Sequence, residues 1–330
     1  MTSNFMEKAE DMWRGGRSEY AYFDEVFQLA RSLALVKNYV AADLLNIEEI
    51  LSILQMRSEL QGSADEELFV EFICDVILGH TPGWPTFAGP IASNWHGQMW
   101  GTGEQVHPYA DFVGSLFGLG LKGSAISSRK IASYGTTGTQ YAVITFNYDR
   151  VLENLCDNVS SFLGGENVLA FRAGNAVETT PYADKPSLIK LHGDVKARNV
   201  VPPTWSKGAT ASAVPVWRQA FAALREATRV RFLGYSLPGG DSYFKYLLKA
   251  AATSGHYLKE IDVVCLDPTG EVRSRYASLV VFPKLRFTSR NVLEYLAAIR
   301  KHTRDTINST DTLEAKPYDG LEKAHESFFR

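Results

Sequence analysis

From about residue 139 onward, short apolar runs rich in β-branched and aromatic residues alternate with amphipathic stretches of helix length. No other feature narrows the fold as much. Parallel strands must be joined by long crossovers, so this alternation calls for a parallel sheet covered by helices. The runs predict strands at 141–147, 187–192, 229–235, 261–266 and 279–287, with helices at 149–157, 214–227, 241–252 and 290–301. The expected class is α/β, with a doubly wound, mostly parallel, Rossmann-like sheet.

Four of these strands end on polar residues. The first closes in TFNYD (Asn147, Asp149), the second in LIKLHGD (His192, Gly193, Asp194), the third in FLGYSLPGGD (Gly234 to Asp241) and the fourth in VCLDP (Asp267). Each has an ordinary structural reading taken alone. Asn and Asp bond to their own backbone in turns, an Asp after a strand commonly caps a helix, and a histidine there is more often a hydrogen-bonding partner than a catalyst. Together they line the carboxyl edge of a doubly wound sheet, where ligands of such folds bind.

Ahead of this region the chain reads as helical. Tyr22–Ala34 carries apolar residues at helical spacing, Asn46 stands ready to cap IEEILSILQMRSEL, and Glu67–Leu78 and Tyr109–Leu121 are further helix candidates. The breaker-rich TPGWPTFAGP separates the last two. The expected organisation is a short first segment (1–20), a mostly helical module (21–138), the Rossmann-like core (139–302) and a polar C-terminal segment (303–330). Trp205 and Trp217 read as packing residues. His96 and His107 lack a carboxylate or cysteine at ligand spacing, so no metal is expected there.

Composition narrows the function classes. The formal net charge is −3, without a basic stripe interleaved with aromatics, so nucleic-acid binding is not expected. No apolar run approaches the roughly 20 residues of a membrane span, and the first residues lack the apolar segment of a signal peptide. Three scattered cysteines, Cys74, Cys156 and Cys265, form no CxxC pair and suit a reducing, cytoplasmic setting.

TFNYD, KLHGD and FLGYSLPGGD, in that order and followed after the histidine by VVPPTWSK (200–207), resemble the sirtuin-like (Sir2-type) NAD-binding family, above all its bacterial defence-associated branch. The resemblance spans roughly residues 45–300 and is strongest over 141–252. It implies a sirtuin-type core with a helical insertion module. By the same resemblance, Asn147 and Asp149 contact the nicotinamide-side ribose and carboxamide region, and His192 is the base near the ribose hydroxyls. Gly234, Tyr235, Ser236 and Asp241 form the turn on the adenosine side, and Asp267 touches the adenine ribose. The chemistry suits these residue types. Breaking the nicotinamide–ribose bond forms an oxocarbenium-like centre, and a histidine, with a pKa of about 6.5, can take a proton at neutral pH.

The chain departs from the family in two ways. Deacylating sirtuins carry a four-cysteine zinc module that three cysteines cannot build, so NAD+ hydrolysis ranks above protein deacylation or ADP-ribosyl transfer. A Gly-rich phosphate turn after a first strand is also absent, and MTSNFMEKAEDMW resembles the sequence that follows it. A missing first strand, an open sheet position and weak NAD+ affinity are therefore expected. A non-catalytic nucleotide-binding or regulatory subunit stays open as a second class of function. The expected partners are NAD+ and either a second copy of the chain or a sensor protein.

Overall fold

A computed structural model describes residues 11, 14–15, 25, 28–29, 47–81, 95–100, 107–122, 130–133, 139–160, 169–173, 185–201, 214–239, 241–255, 257–279, 284–308 and 320–330. The expectations for a first strand, for a Gly-rich turn and for most of the Tyr22–Ala34 helix fall outside these residues, as do Trp205 and Gly240. The chain divides into two compact units, one of residues 1–82, 144–150 and 190–217, the other of residues 83–143, 151–189 and 218–330.

In the first unit, α1 (Ile47–Gln61) and α2 (Asp65–His80) form a helical hairpin. Gly62 ends α1 in the left-handed region at φ +69°, and its N–H reaches the Ser58 carbonyl at 2.9 Å. That is the usual geometry of a glycine just past a helix end. Three acidic residues, Asp65, Glu66 and Glu67, occupy the first turn of α2, where they complement the helix dipole. Leu51, Leu54, Phe69, Phe72, Ile73 and Val76 fill the space between the helices. Cys74 of α2 packs instead with Val195 and Val200, against which Tyr148 also rests. Burial pushes the Cys74 thiol up to about 12, with Asp75 and Asp194 adding to the effect, so it is a packing residue.

The second unit contains α3 (Trp95–Trp100), α4 (Ala110–Leu116), and the antiparallel pair β1 (Leu119–Lys122) and β2 (Lys130–Ser133). It continues through most of β3 (Ala142–Thr145), α5 (Val151–Ser160), β4 (Arg172–Ala173) and β5 (Ser187–Lys190). α6 (Val214–Glu226) leads to β6 (Arg229–Leu233), α7 (Ser242–Ser254), β7 (Glu260–Val264), α8 (Glu271–Leu279), β8 (Leu285–Thr288), α9 (Val292–Asn308) and α10 (Gly320–Phe328). The chain passes between the units within β3, within β5 and within α6, as well as after residues 82 and 150.

The parallel sheet expected from the alternation is present as two three-stranded sheets, ordered β3-β5-β4 and β6-β7-β8. β4 pairs with β5, β6 with β7 and β7 with β8, all in parallel. The Ser187 N–H bonds the Tyr141 carbonyl at 3.2 Å and the Leu191 N–H bonds that of Thr145 at 3.0 Å, so β5 runs in step with β3. Val263 and Val264 of β7 are fully buried, as a strand covered on both faces requires.

Three expectations need correction. The helix over 109–121 stops at Leu116, and Gly118, at φ +54°, turns the chain into β1. The strand placed at 279–287 begins only at Leu285, because Glu271–Leu279 is a helix that buries Val272 and Tyr276. The C-terminal segment is not merely polar and peripheral. α10 buries Leu321, Ala324 and Phe328 in the core that also holds Val113, Leu116, Leu155, Val264, Tyr295 and Ile299. Its His325, fully buried, meets the Asp262 carboxylate through Nε2 at 2.7 Å and the Tyr295 hydroxyl through Nδ1 at 2.9 Å.

Candidate functional site

The strand-end residues fall into two sets, one in each unit, and each is described by itself. The first follows β3 and β5. An extended run ending in Thr145 hands over to Phe146, Asn147, Tyr148 and Asp149 with no regular structure before α5, and the Asn147 N–H turns back onto the Thr145 hydroxyl at 3.0 Å. The Asn147 side chain is exposed and Asp149 is half-buried. His192 is 3% exposed. Its ring meets the edge of Phe146 (centroids 5.2 Å apart, 72° between planes) and lies tilted on Tyr148 (5.8 Å, 34°). The two aromatic residues flanking Asn147 thus both hold the imidazole.

A charged staple fixes these two segments. Lys190 donates from Nζ to the Tyr148 carbonyl (3.3 Å), to the Asp149 carbonyl and to the Asp194 carboxylate (2.8 Å). Arg150 reaches the same carboxylate at 3.3 Å. Asp194 also accepts the N–H groups of Lys196 (2.8 Å) and Ala197 (3.2 Å), and its own N–H is taken by the Asn199 side chain (2.8 Å). Burial opposes the Asp194 charge, but the Lys190 ammonium, the Lys196 N–H and Arg150 outweigh it and hold its pKa below the ordinary value. Gly193 stands at φ +84°, and a Cβ there would lie 2.1 Å from the Asn199 carbonyl oxygen. Only glycine fits so close to that backbone. Farther along the loop, Arg198, at φ 51°, pairs with Glu71 and with Asp75 (2.5 Å) of α2.

Sequence reasoning quoted Lys190 and Asp194 inside its motifs without giving them roles and passed over Arg150, which follows TFNYD. Their signal is weak in one dimension, because a lysine in a strand and an arginine opening a helix are ordinary until the fold places them around one carboxylate.

The second set follows β6 and β7. Gly234 is exposed at φ +70°, and its N–H extends the ladder to the Val264 carbonyl at 2.8 Å. The turn after it closes on itself. The Tyr235 hydroxyl donates to the Asp241 carboxylate at 2.6 Å, while the Tyr276 hydroxyl donates to the Tyr235 carbonyl at 2.8 Å. Leu237, at φ 52°, is fully buried and Ser236 is half-buried. The Tyr235 ring packs edge-on against Phe244 at 5.5 Å. Asp241, 7% exposed, precedes the first residue of α7.

Asp267 serves its own backbone first. Its carboxylate oxygens accept the N–H groups of Val272 (3.1 Å) and Arg273 (2.9 Å) at the start of α8, the helix-capping role that an Asp after a strand commonly takes. Desolvation opposes its charge, but those N–H groups and that of Gly270 hold its pKa below the usual value. Three backbone donors on its four lone-pair sites leave room for one more.

Among the described residues no group of three or more His, Cys, Asp and Glu is arranged to hold a metal ion. The His107 Nδ1 accepts the Tyr109 N–H at 3.2 Å, and Trp217 is buried. No described helix is long and apolar enough to cross a membrane.

Comparison with known proteins bears on both sets. Among curated proteins no relative matches the chain. Residues 141–278, which carry every residue of the two sets, match the family described as the SIR2-like domain. This match supports a Sir2-type family for the α/β segment and, with it, an NAD-related function.

Proposed function

We propose that the chain is an NAD+ glycohydrolase that cleaves the nicotinamide–ribose bond, built on a doubly wound sirtuin-type core and serving bacterial anti-phage defence. The observation that carries the reading is the placement of His192. A buried imidazole is clamped by the two neighbours of an exposed Asn147, on a loop fixed by Lys190 and Asp194. A scaffold has no need to hold a titratable ring so firmly beside an exposed amide. The defence role rests on the resemblance of the motifs alone.

In this reading Asn147 and Asp149 orient the nicotinamide-side ribose. The C–N bond to nicotinamide breaks, positive charge develops on the ribose carbon, and the oxygen of a water closes on that carbon. His192 takes the proton that the water or a ribose hydroxyl releases. Nicotinamide and ADP-ribose leave, and the proton passes to solvent. Gly234, Tyr235, Ser236, Asp241 and Asp267 serve the adenosine side. Gly234 is exposed, though a Cβ on it would lie 2.9 Å from the Val292 side chain, and the Tyr235–Asp241 bond keeps the turn in shape. A second copy of the chain or a sensor protein completes the proposed assembly. Nicotinamide release from NAD+ by the purified chain tests the activity; a chain that binds NAD+ without releasing nicotinamide would leave the regulatory class of function instead.

A further inference from the structure

A groove between α7 and α8 has no part in the proposed reaction. α7 buries Phe244, Leu248 and Ala251. Ser242, Lys245, Tyr246 and Lys249, spaced i, i+3, i+4 and i+7, form another stripe of the same helix. With Arg275, Ser278 and Leu279 of α8 they line a groove of about 200 Å³.

The lining holds three cations and no carboxylate. Arg275 lies near two carboxylates, Asp267, whose charge it helps to stabilise, and Glu271, 3.8 Å away and 75% exposed, a pairing that water screens strongly. Among the described residues neither the Lys245 nor the Lys249 ammonium has a carboxylate partner. Two ammonium groups four residues apart on a helix repel each other, and among the described residues no carboxylate pairs with either to offset that repulsion. In a chain whose net charge is −3, such a convergence of positive charge is a local departure. Beside the cations lies the Tyr246 ring, 68% exposed. A flat aromatic surface next to clustered cations matches a ligand that carries both a planar base and a phosphate. An acidic peptide would supply the charge without using the ring.

We propose that this groove binds the phosphate of a nucleotide. Lys245, Lys249 and Arg275 neutralise the phosphate, Ser242 donates a hydroxyl hydrogen bond, and the base stacks on Tyr246, while the Ser278 hydroxyl is donated to the Arg275 carbonyl at 2.8 Å. The site uses none of the residues assigned to NAD+ cleavage and does not depend on that assignment.

The test is calorimetric titration of the full chain with adenosine 5′-monophosphate, inorganic phosphate and adenosine, with nicotinamide release from NAD+ followed in parallel. Adenosine 5′-monophosphate should bind about tenfold more tightly than phosphate. Replacing both lysines (Lys245→Gln with Lys249→Gln) should weaken both ligands tenfold or more, because charge-assisted bonds are lost. Tyr246→Ala should weaken the nucleotide about tenfold and leave phosphate unchanged. These side chains are exposed or half-buried, and unchanged circular dichroism confirms that the variants fold. Nucleotide binding that survives the double substitution would overturn the proposal. So would a glutamate-rich peptide that binds as tightly and is lost with the same variants. Absence of nicotinamide release, with these binding results intact, would count against the hydrolase reading alone.

Discussion

Replacing Gly193 by alanine probes the geometry around His192 most directly. The new Cβ would meet the Asn199 carbonyl oxygen at 2.1 Å and its carbon at 2.8 Å, in a backbone held at φ +84°. A residue with a Cβ in that left-handed region costs about 1–2 kcal/mol. The contact is with backbone, so relief requires the Asn199 peptide to retreat by most of an ångström, and overpacking of that kind costs a further ~1–3 kcal/mol. The expected destabilisation is therefore about 2–5 kcal/mol. Gly62→Ala supplies the control. Gly62 stands at φ +69° in the same unit with nothing within 4 Å of an added Cβ, so it should cost only about 1–2 kcal/mol. Urea unfolding of both variants isolates the contact from the backbone strain. In the proposed enzyme, a displacement of that size beside His192 should also slow nicotinamide release about 10²-fold, and Gly62→Ala should not slow it. Equal destabilisation by the two substitutions would mean that the Asn199 contact does not constrain the loop. Full activity in Gly193→Ala would separate His192 from catalysis.

His192→Ala and Asn147→Ala should each lower nicotinamide release by roughly 10²–10⁴-fold with unchanged circular dichroism; an unaltered rate in either assigns that residue a structural role. Lys190→Met removes the shared donor to the Tyr148 and Asp149 carbonyls and to Asp194, and should cost about 2 kcal/mol in urea unfolding. An unchanged midpoint would show that Arg150 alone holds the staple. Acid should weaken the second unit through Asp262. Burial opposes its charge, but Arg286 and His325 hold its pKa at about 2, below the ordinary 3.8. A depressed carboxylate stabilises above its unfolded pKa, so about 2 kcal/mol should disappear as pH falls through roughly 4 towards 2. Acid unfolding of Asp262→Asn should lack that component, and a profile identical to the parent's would refute it.

The strands Ala142–Thr145, Ser187–Lys190, Arg229–Leu233 and Glu260–Val264 were legible because each lies in a short β-rich run, although only Glu260–Val264 is buried along most of its length, and their polar ends were legible by contrast. α8 was hidden. EVRSRYASL turns only Val272 and Tyr276 inward, and the β-rich run after it drew the strand boundary too early. α10 read in the sequence only as part of a polar segment, and its polar groups are satisfied by distant partners. Glu322 bonds Arg231 at 2.6 Å and the Tyr141 hydroxyl at 2.7 Å, and His325 bonds Asp262. The charged staple around His192 was beyond one-dimensional reading for the same reason, since Lys190, Arg150 and Asp194 acquire meaning only when two strand ends lie side by side. Asp267 carried two readings in the sequence, and the fold places its carboxylate on the backbone of α8.

Docking of α10 has a consequence for biosynthesis. The core of the second unit joins residues 110–119 to 321–328, segments far apart in sequence. Until Phe328 has left the ribosome, that core lacks one wall, and Asp262 and Arg231 lack His325 and Glu322 as partners. The nascent chain, growing at about 5–20 residues per second, therefore carries this core open from the emergence of residues 110–119 until α10 follows. A fragment that stops short of α10 is expected to leave this core unfinished.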